Sequence, residues 1–121
     1  CLLVDDNKDD RADRIEILLH GFDTHDTHHA ISAYCADASG AFYLCEGRFL
    51  HSQVETPYGP RRCNDGGIWR FDPNSGKTTI FRSPSGMSNG IKFDAAGNML
   101  VAEGADYGGR GARCLEAARG R

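Results

Sequence analysis

A chain of 121 residues with 40% hydrophobic side chains is long enough for one small domain, and its net charge of −3 carries no basic excess. Nucleic acid and anionic membrane surfaces are therefore not expected as partners. No run approaches the roughly 18 apolar residues of a membrane span, so no direct membrane segment is expected.

The first four residues, Cys1 to Val4, read as the end of a strand, so the chain is expected to be a piece of a longer protein. An acidic segment follows. Asp5, Asn7, Asp9 and Asp13 fall at loop positions 1, 3, 5 and 9, and Glu16 at position 12, which are the oxygen-ligand positions of an EF-hand loop. Five hard oxygens suit calcium, so these five residues are the expected metal ligands. The sixth position, where a sharp turn favours Gly, holds Asp10. The alternative is a solvated acidic turn leading into a strand at 15–19.

The run His25-Asp26-Thr27-His28-His29 precedes the next strand, 30–36. Imidazoles beside a carboxylate serve as ligands or as a general acid/base pair, which makes His28 and His29 catalytic candidates. The alternative is a polar loop capping the strand. After a strand at 41–46 comes the long insertion 47–66, expected as a loop. It adds His51 and Arg61 as catalytic candidates, with Glu55 nearby, and its arginines suit an anionic or polyol substrate. Alternatively it packs on a neighbouring unit. Strands at 67–71 and 78–82 follow. Asn89, in Ser88-Asn89-Gly90, offers either an oxygen to a central metal or a left-handed turn. Strands at 90–93, 99–103 and 112–115 complete the pattern, and the tail 116–121 has none.

Tight turns separate these runs. Asp37-Ala38-Ser39-Gly40 and Asp94-Ala95-Ala96-Gly97 are both D-x-x-G, and Asp72-Pro73-Asn74-Ser75-Gly76 is D-P-x-x-G. Asp37, Gly40, Glu46 and Gly47 recur as Asp94, Gly97, Glu103 and Gly104, always 57 residues on. A repeated four-strand unit marks a propeller blade. The fold expected is all-β, a partial β-propeller. Residues 1–29 hold the acidic turn and the outer strand of a preceding blade. Residues 30–82 form one full blade with the 47–66 insertion, 83–115 begin the next, and 116–121 are a tail. In a meander the turns 37–40, 72–77 and 94–97 share one end. The segments 20–29, 47–66, 83–89 and 104–111 share the other, where His28, His29, His51, Glu55, Arg61 and Asn89 should gather.

Five cysteines, Cys1, Cys35, Cys45, Cys63 and Cys114, stand in no CxxC, CxxCH or Cys/His zinc spacing. They read as free thiols. Cys35 and Cys45 lie on two strands of one hairpin but are not offset to stand opposite each other.

The segments 21–31, 40–44, 51–59 and 67–73, with H-S-x-V-E-T-P-x-G over 51–59 the most specific, resemble the propeller of planctomycete-type membrane-bound dehydrogenase-like proteins. Those are related to quinoprotein sugar dehydrogenases and often carry a cytochrome c domain. An acidic turn like that of Asp5 to Asp13 precedes the propeller there. A second stretch, 88–104, resembles gluconolactonase/regucalcin-like six-bladed propellers, whose central divalent metal takes Asn ligands in patterns like that of Asn89. The resemblances imply part of a sugar or alcohol dehydrogenase of the quinoprotein type, acting on a small sugar-like substrate, with the remaining blades as partners. A quinone or haem would belong to the longer protein, which is expected to be periplasmic or secreted. The alternatives are a metal-dependent sugar lactonase and a non-catalytic binding propeller.

Overall fold

The computed structural model describes residues 1–104 and the backbone of the strand Ala112–Leu115. In chain order the strands are β1 Leu2–Val4, β2 Arg14–Glu16, β3 Ala33–Ala36, β4 Phe42–Glu46, β5 His51–Val54, β6 Arg61–Asn64, β7 Gly67–Phe71, β8 Thr78–Arg82, β9 Gly90–Phe93, β10 Met99–Ala102 and β11 Ala112–Leu115. The described residues contain no helix. The chain is all-β. The strands form open antiparallel sheets, ordered β1-β2, β3-β4-β7-β8, β5-β6 and β11-β10-β9.

The four-stranded sheet is a meander interrupted between β4 and β7 by the β5–β6 hairpin. Its register aligns Leu44 with Trp69 and Trp69 with Ile80, which places three apolar side chains on one face. The opposite face carries Tyr43, Cys45 and Ile68. This face packs with Ala41 against Met99 and Val101 of β10. Phe81 and Phe93 meet the Tyr43 ring edge-on, with centroids 5.2 and 5.1 Å away. The first face is covered by the hairpin. Val54 and Cys63 pack on Trp69, with Leu19, Phe22 and Ile31 at the margins. Phe22 stands edge-on to Trp69 at 5.7 Å.

The 57-residue repeat is written in backbone hydrogen bonds. Gly40 N–H donates to Asp37 O and Asp37 N–H to Ala41 O. Gly97 donates to Asp94 and Asp94 to Asn98 in the same way. The carboxylates act alike: Asp37 Oδ1 accepts from the amides of Ser39 and Ala41, and Asp94 Oδ1 from those of Ala96 and Asn98. At the other end, Gly47 N–H donates to His29 O, and Gly104 N–H to Gly86 O.

Several expectations change. The strand expected at 15–19 is β2, Arg14–Glu16, paired with β1 around the acidic turn. The strand expected from residue 30 begins at Ala33. The insertion 47–66 is not simply a loop at one end. Ser52, Val54 and Cys63 point inward at alternate positions, and Thr56 closes the hairpin turn by donating its hydroxyl to Gly59 O at 2.7 Å. The hairpin then runs back along the sheet, until Tyr58 Oη donates to Ser75 O in the tight turn at the far end. The expected free thiols are free at Cys1, Cys35, Cys45 and Cys63. Burial pushes the Cys35 thiol up to about 11 and raises Cys45 and Cys63 as well, which leaves them unreactive. Cys114, the segment 105–111 and the tail 116–121 lie outside what the structure describes.

Two glycines with left-handed backbones separate strain from close packing. Gly97, at φ +85°, has open space where a Cβ would stand, whereas a Cβ on Gly66, at φ +80°, would overlap the Gly47 carbonyl. Gly97→Ala should lower stability in urea unfolding by about 1 kcal/mol. Gly66→Ala should cost roughly 3 kcal/mol or more. Equal losses would refute the tight crossing of Gly66 over Gly47.

Candidate functional site

The segment 20–29 is tied along the outer edge of β5. His20 bridges Glu55, and Gly21 O accepts the Gln53 N–H at 3.0 Å. Any Cβ at Gly21 would collide with the Gln53 carbonyl, so the close approach requires glycine. The chain then turns under the base of the hairpin and brings Asp23, His25 and Asp26 beside Phe49, His51 and Asp65. These six residues line an open cavity of about 600 Å³.

Asp23 organises this wall. Its Oδ2 accepts the His51 N–H and its Oδ1 the His25 N–H, each at 2.8 Å. Its own N–H donates to Ser52 Oγ at 2.8 Å. The amides of His51 and then His25 hold its carboxyl below the usual carboxylate range. Asp26 is held by histidine. Its Oδ2 lies 2.8 Å from His29 Nδ1, and its Oδ1 accepts the His28 N–H at 3.0 Å. The His29 bond, followed by the His28 amide, depresses the Asp26 carboxyl.

Phe49 is exposed and sits at φ +68°, a left-handed conformation rare for an aromatic residue. Its N–H donates to Asp65 Oδ1 at 3.3 Å. The Arg48 guanidinium lies 4.4 Å from its ring centroid, and the His29 ring meets it edge-on at 5.9 Å. An exposed ring flanked by carboxylates and imidazoles is suited to the apolar face and hydroxyl groups of a polyol.

The candidates read from sequence separate here. His51 lines the cavity, and His29 is bonded to Asp26 of its lining. His28 is almost fully exposed, with Nδ1 3.6 Å from Asp26 Oδ1. Arg61 is not with them. It pairs with Val54, while His51 pairs with Asn64 three residues away along β5, roughly 10 Å at 3.3 Å per residue. The Arg61 guanidinium donates to Pro60 O. Glu55 follows β5 on the same side of the hairpin tip. Asn89 is exposed, and its N–H donates to Ala102 O. Ser32 N–H donates to Cys45 O at the equivalent place 57 residues earlier. Asp23, Phe49 and Asp65 were not singled out in sequence. Asp23 two residues before His25 was the available clue, because Asp so placed turns back onto nearby amides.

The acidic loop is wrapped on itself. Asp5 accepts the amides of Lys8 and Asp10 on its two oxygens, Asn7 accepts that of Asp9, and Asp13 accepts that of Asp6. Asp10 takes φ +66°, the left-handed turn expected of the sixth position. Glu16 is turned to Arg14, which also pairs with Asp6. Among the described residues no three His, Cys, Asp or Glu side chains converge as a ready metal set. Asp10 thus has the left-handed backbone expected at the sixth position, while the loop's side chains are satisfied locally.

A family model described as a domain of unknown function, DUF7133, matches residues 1–110. No curated protein and no solved structure matches the chain.

The depressed Asp23 and Asp26 carboxyls contribute to the acid behaviour, alongside those of Asp37, Asp72 and Asp94 in the tight turns. Each contributes stability that is present above the unfolded value of about 3.9 and is lost as pH falls through the lower folded value. Asp23→Asn should therefore flatten the decline of the urea midpoint below about pH 4. Superimposable wild-type and variant profiles would show that Asp23 does not carry this linkage.

Proposed function

The chain belongs to the DUF7133 family, and we propose that it forms part of a β-propeller enzyme in which Asp26 and His29 take a proton from a hydroxyl of a sugar-like substrate. The observation that carries this reading is the 2.8 Å bond from His29 Nδ1 to Asp26 beside the cavity. A carboxylate only accepts, so the proton sits on Nδ1 and leaves Nε2 as the basic nitrogen. Asp23 and Asp65 then receive substrate hydroxyl hydrogen bonds, and Phe49 receives the sugar face.

Two consecutive sheets that repeat at 57 residues, with β3 packed beside β9, support the propeller. The resemblance to quinoprotein-type dehydrogenases favours sugar or alcohol oxidation. This chain's part is proton abstraction and substrate orientation. Its sequence has no CxxCH for haem attachment. Asp5, Asn7, Asp9, Asp13 and Glu16 would hold calcium in a structural role after Glu16 leaves Arg14, and the left-handed Asp10 supports that reading.

In the full-length protein, Asp26→Asn should lower kcat for sugar-dependent dye reduction by about 10²-fold, while His28→Ala stays near wild type. Equal rates in wild type and Asp26→Asn would rule out the pair as the base. Calorimetry with calcium should give binding heat for the wild-type chain and none for Asp9→Ala. Absence of heat in both would remove the calcium assignment and leave the site reading standing.

A further inference from the structure

Glu46 lies outside the cavity and is fully buried. It closes β4 opposite Gly67, on the face that carries Leu44 and Trp69. Around its carboxyl stand Ser52 of β5, Cys63 of β6 and Trp69 of β7, with Asp23 approaching from the preceding loop. Ser52 Oγ donates to Glu46 Oε2 at 2.7 Å and accepts the Asp23 N–H at 2.8 Å. The amide nitrogen only donates, so Ser52 Oγ accepts from Asp23 and its single proton is free to reach Glu46. Asp23 passes the connection on through its carboxylate to the amides of His51 and His25. One hydrogen-bonded chain thus runs from a core acid to three residues of the cavity wall.

Packing alone would not select this residue. An apolar side chain would fill the space without the desolvation of a carboxyl, which costs several kcal/mol unless compensated. Compensation is incomplete, since Glu46 Oε1 and Trp69 Nε1 are both buried without a well-formed hydrogen bond. The equivalent acid of the next unit has a different partner: Glu103 pairs with Arg82 at 2.7 Å. The serine link of Glu46 lies in the unit that bears the hairpin and the cavity.

We propose that Glu46 is a positioning residue: through Ser52 it fixes Asp23, and through Asp23 it sets the His51 and His25 wall of the cavity. This inference rests on the proposed substrate site only for its effect on binding. Burial raises the Glu46 carboxyl, Ser52 partly offsets this, and the nearby Asp23 charge adds to the rise. Raising the pH therefore ionises Glu46 beside an already charged Asp23, and the strain is felt along the same chain.

Amide exchange and pH titration by NMR on the full chain test this. Ser52→Ala should raise the exchange rates of the Asp23 and His51 amides at least tenfold. Ser85→Ala, which removes a hydroxyl bonded to the Glu46 main-chain oxygen instead, should leave them unchanged. In wild type the amide signals of Asp23, His25 and His51 should share a titration above the ordinary carboxyl range. In Glu46→Gln that titration should vanish while slow exchange is retained. Unchanged exchange in Ser52→Ala, or a titration that persists in Glu46→Gln, would overturn the proposal. Should Glu46→Gln fail to fold, the Ser52→Ala and Ser85→Ala comparison decides alone. Glucose added to wild type separates the two readings. A responsive amide network with no shift from glucose at the cavity would refute the substrate site and leave Glu46 as the positioning residue.

Discussion

The packing of the β5–β6 hairpin on Trp69 is the interaction from which the rest follows. A fully buried indole on a central strand is worth roughly 3 to 5 kcal/mol against alanine, and here its cover comes from a sequence-local excursion. Because Val54 and Cys63 must both reach Trp69, the hairpin has one register and one face. That face fixes Ser52 inward and His51 outward at the hairpin base. The cavity exists because His51 is forced out beside a loop that Gly21 pins to the same edge. A one-residue slip of β5 would bury His51 and expose Ser52, and Asp23 would lose both contacts.

The two repeated units share their turns and their backbone bonds but not their chemistry. The bond from Gly47 to His29 in the first unit becomes Gly104 to Gly86 in the second. The imidazole packed on Gly47 in the first unit has no counterpart on Gly86. Backbone constraints of the repeat thus specify where a side chain stands, and the 20–29 and 47–66 segments specify which one. This division is how a repeated scaffold gains a site in one unit without losing the fold of the next.

How much of this was legible in sequence differs by element. The tight turns were, because Asp and Gly in D-x-x-G each act through bonds within four residues, and Asp37 and Asp94 make those bonds. Most strands were, because apolar alternation reports burial directly. The hairpin was hidden because two of its inward positions are Ser52 and Cys63, which read as polar or neutral, while Arg61 and Arg62 read as loop. Arg61 was grouped with the histidines on the premise that an insertion stays at one end. Tyr58 bonded to Ser75 shows the chain crossing the full height of the sheet instead. The Asp26–His29 pair was half visible, since the run of His and Asp was plain but the partner was not. Three histidines flank one carboxylate, and only backbone geometry selects His29. Asp23 was legible only through His25, two residues on, because its other partners His51 and Ser52 are 28 and 29 residues away.

The distribution of carboxylates gives the site its character. Asp23 and Asp26 are partly exposed and satisfied by amides and an imidazole, so they keep their charge to lower pH than an ordinary carboxylate. Glu46 lies behind them in the core, where burial favours its neutral form. The two environments are joined by one serine hydroxyl at an ordinary O–H···O distance of 2.7 Å. Raised by burial, the Glu46 carboxyl holds its proton more readily than Asp23 or Asp26 while it accepts from Ser52. The serine bond to a core acid ties this carboxylate-rich wall to the sheet, and such a tie is what residues borne on a loop otherwise lack.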